Sequence, residues 1–219
     1  MGKQVDKIQP YRNELKYIIS KKEFQNIKFL LSSLNIVPQH EPNTINNIYF
    51  DTKNLDCFYE NIEGLSERRK YRIRWYDHSK IMNFETKIKS GSVGRKLTEK
   101  IDYCDKIDLS KLTKNVNSIL KKSNEKLLLI PTLRNRYYRE YFITRPGVRL
   151  TFDSNLTYTD PKNKLLTLTD NYNVIMEVKY NRKSQEKLDL LDFFNIRLQK
   201  NSKYVIGLSK INPELDLLI

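Results

Sequence analysis

The chain is short of cysteine, histidine, long apolar runs and acidic residues, and each shortage removes a class of explanation. Cys57 and Cys104 are the only cysteines in 219 residues. They stand far apart with no Cys-x-x-Cys pair, which argues against a disulfide framework or a zinc ribbon and fits a reducing compartment. His40 and His78 fall in stretches that read as loops, where solvated imidazoles are usual, so neither is given a role. No run of about 18 apolar residues occurs, and residues 1–10 hold no apolar core of signal-peptide length. Asp6 stands where a myristoylation signal needs Ser or Thr. A cytoplasmic location is therefore expected. No repeat, low-complexity tract or linker breaks the chain, and 39% hydrophobic with 11% aromatic content is enough for a full core, so one domain over residues 1–219 is expected.

The acidic shortage is the most informative. Against 40 Lys+Arg there are 26 Asp+Glu, a formal net charge of +14 spread along the chain rather than gathered in a tail. Such a balance points to a polyanionic partner: nucleic acid, a phosphorylated small molecule, a phosphate polymer or a membrane surface.

What is present is a recurring two-residue alternation. In Arg68–Tyr76, Arg68, Lys70, Arg72 and Arg74 take one face, and Arg69, Tyr71, Ile73 and Trp75 the other. The stretch from Tyr11 to Ile19 repeats the pattern, with Arg12, Glu14, Lys16 and Ile18 opposite Tyr11, Leu15, Tyr17 and Ile19. Glu85, Lys87 and Lys89 oppose Phe84, Thr86 and Ile88. Lys96, Thr98 and Lys100 oppose Leu97 and Ile101. In residues 131–144, Arg134, Arg136, Tyr138, Glu140 and Phe142 oppose Leu133, Tyr137, Tyr141 and Ile143. Arg149, Thr151 and Asp153 oppose Val148, Leu150 and Phe152, and Glu177 and Lys179 oppose Val174, Met176, Val178 and Tyr180.

Between these strands lie helical signals. Ser20 with Glu23 is a capping box ahead of Phe24, Ile27, Leu30, Leu31 and Leu34. Residues 108–122 carry Leu109, Leu112, Val116 and Leu120. A C-terminal part containing Leu188, Leu191, Phe193 and Phe194, then Ser202 to Gly207, also reads as helical. Pro38 and Pro42 mark a loop before a strand at 44–51.

Two architectures satisfy the alternation. With apolar faces inward, the molecule is a barrel or sandwich with a basic exterior. With apolar faces outward under the helices, the interior is a wet cationic tunnel, stable only if a polyanion, water and counter-charges fill it. Because Trp75 and the tyrosines fall on the faces opposite the cations, they read as packing residues. Nucleic-acid binders interleave aromatics and cations on one surface, so no nucleic acid is expected.

Eight short motifs, in order, resemble the triphosphate tunnel metalloenzymes, and within them the polyphosphate polymerase domain of the vacuolar transporter chaperone complex. They are Arg-Asn-Glu-Leu-Lys-Tyr at 12–17, Ile-Tyr-Phe-Asp at 48–51, Lys-Tyr-Arg-Ile-Arg at 70–74, Glu-Thr-Lys at 85–87, Asn-Arg at 135–136, Val-Arg-Leu-Thr-Phe-Asp at 148–153, Met-Glu-Val-Lys-Tyr at 176–180 and Ser-Lys-Tyr at 202–204.

The resemblance implies an α+β fold: a closed eight-stranded antiparallel barrel with a basic interior and amphipathic helices outside. It implies transfer of the terminal phosphoryl of ATP to a growing inorganic polyphosphate chain, with Mg²⁺ or Mn²⁺. It implies that Lys16, Arg72, Arg74, Lys87, Arg136, Arg149 and Lys179 grip the reacting phosphates, with Lys96, Ser202 and Lys203 as further binding residues and Glu177 and Glu14 at the metal. Membrane attachment would then come through a separate partner subunit. Many tunnel triphosphatases carry Glu-x-Glu-x-Lys on the first strand, where this chain has Arg12 in place of the first Glu. That departure weakens a second, water-activating metal and favours transfer over hydrolysis. Hydrolysis of triphosphate or polyphosphate, or non-catalytic polyanion binding, are the alternatives.

Overall fold

The computed structural model describes residues 12–77, 79–91, 93–102, 107–145, 147–181, 198–199 and 201–216. Tyr11, His78, Cys104, Pro146, the side chain of Arg12, and Leu188, Leu191, Phe193 and Phe194, for which a helix was expected, lie outside the described residues. The elements in chain order are β1 (Arg12–Ser20), α1 (Lys21–Ser33), β2 (Val37–Asp51), α2 (Asp56–Ile62), β3 (Glu67–Tyr76), β4 (Met82–Ser90), β5 (Val93–Ile101), α3 (Leu109–Lys122), β6 (Ile130–Ile143), β7 (Arg149–Thr159), β8 (Thr167–Asp170), β9 (Asn173–Asn181), α4 (Lys203–Ile211) and α5 (Pro213–Asp216).

The expected capping box forms. Ser20 Oγ accepts from the Glu23 backbone N–H, and the Glu23 carboxylate accepts from the Ser20 backbone N–H at 2.7 Å. Asp108 caps α3 in the same way, accepting from Lys111 N–H at 3.1 Å. At α2 the preceding Leu55 has φ +59° and no capping side chain. Buried Asp51, at the end of β2, accepts instead from the N–H groups of Cys57 and Phe58.

All strands join one antiparallel sheet in the order β1-β9-β7-β6-β2-β3-β4-β5, with β8 added on β7. The helices and the mainly antiparallel sheet match the expected fold class, with β8 an addition. Among the described residues, however, the edge strands β1 and β5 do not pair, so hydrogen bonds do not close the barrel. At β1 the free edge is met by another segment: the Lys16 carbonyl accepts from Gln199 N–H at 3.1 Å. Side chains bridge the gap instead, Lys87 of β4 lying 3.8 Å from Glu14 of β1.

β2 begins at Val37, seven residues earlier than the alternation from Thr44 suggests. Pro38 and Pro42 are tolerated because this half of β2 pairs only with β6, through two register shifts, while β3 joins it from Ile45 onward. A strand with one free edge can lack an N–H there at little cost.

Two of the three hydrophobic clusters lie between the sheet's convex face and helices. α1 buries Phe24, Ile27 and Leu31 against Tyr17 and Ile19 of β1, Phe152 of β7 and Met176 and Val178 of β9. α3 buries Leu112, Val116 and Leu120 against Tyr71, Ile73 and Trp75 of β3 and Phe84 of β4. The third cluster overturns the expectation that all helices lie outside. α4 packs Tyr204, Val205, Leu208 and Ile211 against Ile45, Tyr49, Leu133, Tyr137 and Ile175. Those strand residues share alternate positions with Arg139 and Glu177, so α4 occupies the concave side. Its nine residues include seven buried ones, among them Lys203, Gly207 and Ser209, which a helix lying on an outer surface would not bury. Tyr204 Oη, donating to Asp51 at 2.5 Å, ties α4 to the base of α2.

Gly207 makes this insertion possible, since a Cβ there would lie 2.3 Å from Tyr158 Cδ1 and 2.8 Å from Leu133 Cδ2. Gly207→Ala is expected to destabilise the protein by about 1–3 kcal/mol through overpacking. Thermal or urea unfolding against the parent chain checks this. An unchanged midpoint would mean that α4 is not seated as described.

Candidate functional site

The curvature of the sheet and the α4 insertion leave a strongly charged pocket. It is lined by Glu14, Lys16, Tyr49, Lys70, Arg72, Arg74, Lys87, Tyr137, Arg139, Glu177, Lys179, Ser202, Lys203 and Tyr204. Eight of these are cations and two are carboxylates.

The strand registers explain the crowding. Lys70 of β3 lies directly opposite Lys87 of β4, which lies directly opposite Lys96 of β5. Like charges face to face across strands are destabilising. Relief comes from the next row, where Glu85 accepts from Arg72 Nε at 2.7 Å and from Lys96 Nζ at 3.1 Å. Burial would raise the Glu85 carboxyl, but Arg72, Arg74 and Lys96 outweigh it and hold the group at about 2.

On β1 and β9, Glu14 lies 3.0 Å from Lys16. Burial pushes its carboxyl up, while Lys16, Lys87 and Lys179 bring it down to about 2. Buried Glu177 is ringed by Lys179 at 3.2 Å, Lys203 at 3.5 Å, Arg139 at 3.6 Å and Lys16 at 3.7 Å. Burial again opposes ionisation, but these cations hold the carboxyl well below its ordinary range. Beneath it, fully buried Asp153 accepts from Arg139 Nη2 at 2.7 Å and pairs with Lys203 at 2.5 Å.

The two β3 cations that flank Arg72 on the pocket face are left with neutral partners. Arg74 donates to Asn47 Oδ1 at 2.9 Å and to Tyr137 Oη at 3.0 Å. Lys70 donates to Ser202 Oγ at 2.9 Å. Ser202 is also the N-cap of α4, accepting from Val205 N–H, so the helix start faces the pocket.

Of the expected site residues, Lys16, Arg72, Arg74, Lys87, Lys179, Ser202, Lys203, Glu14 and Glu177 come together in the pocket. Lys96 stands behind Glu85. Arg149 lies opposite Lys179 in the ladder, on the face shared by Thr151 and Asp153, but does not line the pocket. Arg136 is on the other face of β6. It is the cross-strand partner of Asn46, its side chain is 56% exposed, and it donates to Asp77 at 2.8 Å. The odd-numbered residues of β6 face the pocket, so its cation there is Arg139.

Lys70, Glu85, Arg139 and Asp153 are site members that were not among the expected site residues. Lys70, Glu85 and Asp153 were already on charged faces by alternation. Arg139 carried a signal too, as a lone cation between Tyr137 and Tyr141 on an apolar face. Tyr49, Tyr137 and Tyr204 correct the assignment of tyrosines to packing alone, because they do both. Trp75 keeps its packing role in the α3 cluster.

Oxygen donors of the pocket suit a hard divalent cation. Mg²⁺ and Mn²⁺ take one or two carboxylates and fill the remaining positions with water and phosphate oxygens. Glu14 and Glu177 meet that description. Among the described residues no group of three or more Asp, Glu, His or Cys gathers into a self-sufficient cage.

Because the Glu85 carboxyl is depressed in the folded state, its ionic contribution is complete above its ordinary value of 4.5 and fades as pH falls toward about 2. Urea unfolding at a series of pH values should show stability falling through that window. Glu85→Gln should flatten the fall and cost on the order of 2–3 kcal/mol at neutral pH by stranding Arg72. A pH profile identical to the parent's would show that Glu85 is not the group concerned.

Comparison with known proteins bears on this arrangement. The model of one protein family, described as the VTC domain, matches residues 11–212. No curated protein matches the sequence. Solved structures with a similar fold include a Bacillus halodurans protein provisionally designated an adenylate cyclase, at TM-score 0.56 and 16% identity, over 88% of this chain and 94% of that one. A Vibrio parahaemolyticus protein with the same provisional designation gives TM-score 0.54 and 13% identity, over 90% and 98%. A Hippeastrum protein, provisionally an adenylyl cyclase and described as having a dominant triphosphatase activity, gives TM-score 0.52 and 18% identity, over 90% and 94%. At these identities the likeness is one of fold.

Proposed function

This chain belongs to the VTC domain family, and on that premise we propose that its pocket is the active site of a metal-dependent polyphosphate polymerase, transferring the terminal phosphoryl of ATP to an inorganic polyphosphate chain. The observation that carries the reading is the face-to-face row Lys70–Lys87–Lys96 beside a pocket with eight lining cations and two lining carboxylates. Such an arrangement is costly when empty and is relieved by a ligand with several negative charges in line. A phosphate polymer has that form.

Phosphoryl transfer requires mainly positioning and neutralisation of charge on the transferring group, and no protein nucleophile. Arg72 and Arg74 are held by Glu85 and by Asn47 with Tyr137, so their forks are oriented before the ligand arrives. Lys16, Lys87, Lys179 and Lys203 would neutralise successive phosphates. The acceptor is a phosphate oxygen already ionised at neutral pH, so no general base is needed. As the new P–O bond forms, the bond to the leaving ADP breaks. Glu177 and Glu14 would hold Mg²⁺ or Mn²⁺, which supplies further neutralisation of the phosphate oxygens.

Transfer is favoured over hydrolysis by the disposition of the carboxylates. Among the described residues Glu85 is committed to Arg72 and Lys96 and Asp153 to Arg139 and Lys203, so Glu14 and Glu177 are the carboxylates that line the pocket, and assigning both to a metal leaves no further lining carboxylate to orient a water.

Incubation of the purified chain with ATP and Mg²⁺ or Mn²⁺ should yield ADP and a ladder of polyphosphate on a gel. Glu177→Gln should lower turnover at least about 100-fold, in line with the loss of a principal charge-stabilising group. Release of orthophosphate without long chains would replace this reading with hydrolysis. Binding of polyphosphate without any turnover would reduce the site to a polyanion-binding module.

A further inference from the structure

We propose that Lys70 is an additional ligand-binding residue of this pocket, and that it takes up a proton from solvent when a phosphate oxygen replaces Ser202 as its partner. The inference rests on the reading of the pocket as a triphosphate or polyphosphate site.

The geometry isolates Lys70. Among the described residues its only polar partner is a neutral one, Ser202 Oγ at 2.9 Å. The charges around it are mainly of its own sign: Lys87 directly opposite on β4, Lys16 on β1, and Arg68 and Arg72 on its own strand. The carboxylates of the pocket are engaged elsewhere. Glu14 is held by Lys16 and Lys87, and Glu177 by Lys16, Arg139, Lys179 and Lys203. Lys203, the first residue of α4, is itself bound to Asp153.

Burial, and then the charges of Lys16, Lys87, Arg68 and Arg72, push the Lys70 amine well below the ordinary lysine range. An arriving phosphate reverses the electrostatic part of this: it brings negative charge to the one lysine lining the pocket that has no carboxylate partner among the described residues. The amine then binds a proton as the ligand binds. By linkage, affinity must fall as pH rises between the amine's lowered value in the free protein and its higher value in the complex. Below that window Lys70 is already protonated and the coupling vanishes.

The test is isothermal titration of the full chain with inorganic triphosphate, without metal, from about pH 7 up to the ordinary lysine range near 10.4. Buffers of differing ionisation enthalpy report the protons taken up. Because triphosphate titrates as well, the result is the difference between the parent and Lys70 variants. Lys70→Arg keeps a charge that cannot titrate. It should bind within a few-fold of the parent, with the extra proton uptake gone. Lys70→Met should lose the uptake and about tenfold or more in affinity, the value of a charged hydrogen bond. Since it removes a buried amine set among like charges, with no carboxylate partner among the described residues, its unfolding midpoint should not drop.

Equal proton uptake by the parent and Lys70→Arg would overturn the inference while leaving the pocket's ligand class intact. No heat of binding with triphosphate at any pH would overturn the ligand class and the inference together.

Discussion

Like charges held at fixed short spacing govern this molecule. Antiparallel pairing sets Lys70, Lys87 and Lys96 in one row across three strands. The sheet's curvature brings the basic faces of β1 and β9 round toward them, as the contact between Glu14 and Lys87 shows. The few carboxylates on the concave side are each shared among several cations: Glu177 by four, Glu85 and Asp153 by two each. Neutralisation is therefore partial by construction. The deficit is left on β3, where Lys70 and Arg74 face hydroxyl, amide and phenol groups.

The convex face provides the stability that the concave face forgoes. α1 and α3 cover opposite wings of the sheet with aliphatic and aromatic packing, and the apolar alternate residues of β1, β3, β4 and β9 feed those two clusters. α4 does something different. Seated on the concave side, it fills part of the interior with Tyr204, Leu208 and Ile211, and its start, Ser202 and Lys203, faces the remaining pocket. One helix thus sets both the extent of the pocket and two of its polar groups. Asp51 couples this to the rest of the fold, since the same carboxylate that caps α2 accepts from Tyr204.

Several features were readable from residue order because they depend on near neighbours. The capping box at Ser20 and Glu23, the stripes of α1 and α3, and the basic faces of β1, β3, β4 and β9 follow from side-chain period and local hydrogen bonding. β6 was different, because it carries arginine and tyrosine on both faces. Arg134, Arg136 and Tyr138 alternate as convincingly as Tyr137 and Arg139, and no local rule says which set turns inward. The sequence also holds nothing that tells a helix covering a sheet from one inserted beneath it; α4 differs from α1 chiefly in burying Gly207 and Ser209 as well as its apolar residues.

Residue order alone determined that this chain forms strands with one cationic face, that amphipathic helices accompany them, and that a polyanionic partner is to be expected. These follow from the two-residue pleat and from net charge, neither of which needs a partner in space. The tertiary structure decided that Arg139 and not Arg136 enters the pocket, that α4 lies within the curve of the sheet, and that β1 and β5 meet through side chains rather than a ladder. Each of these depends on which surfaces are brought together across long separations in sequence, and alternation is blind to that: it divides a strand into two faces without saying which one the rest of the molecule will enclose.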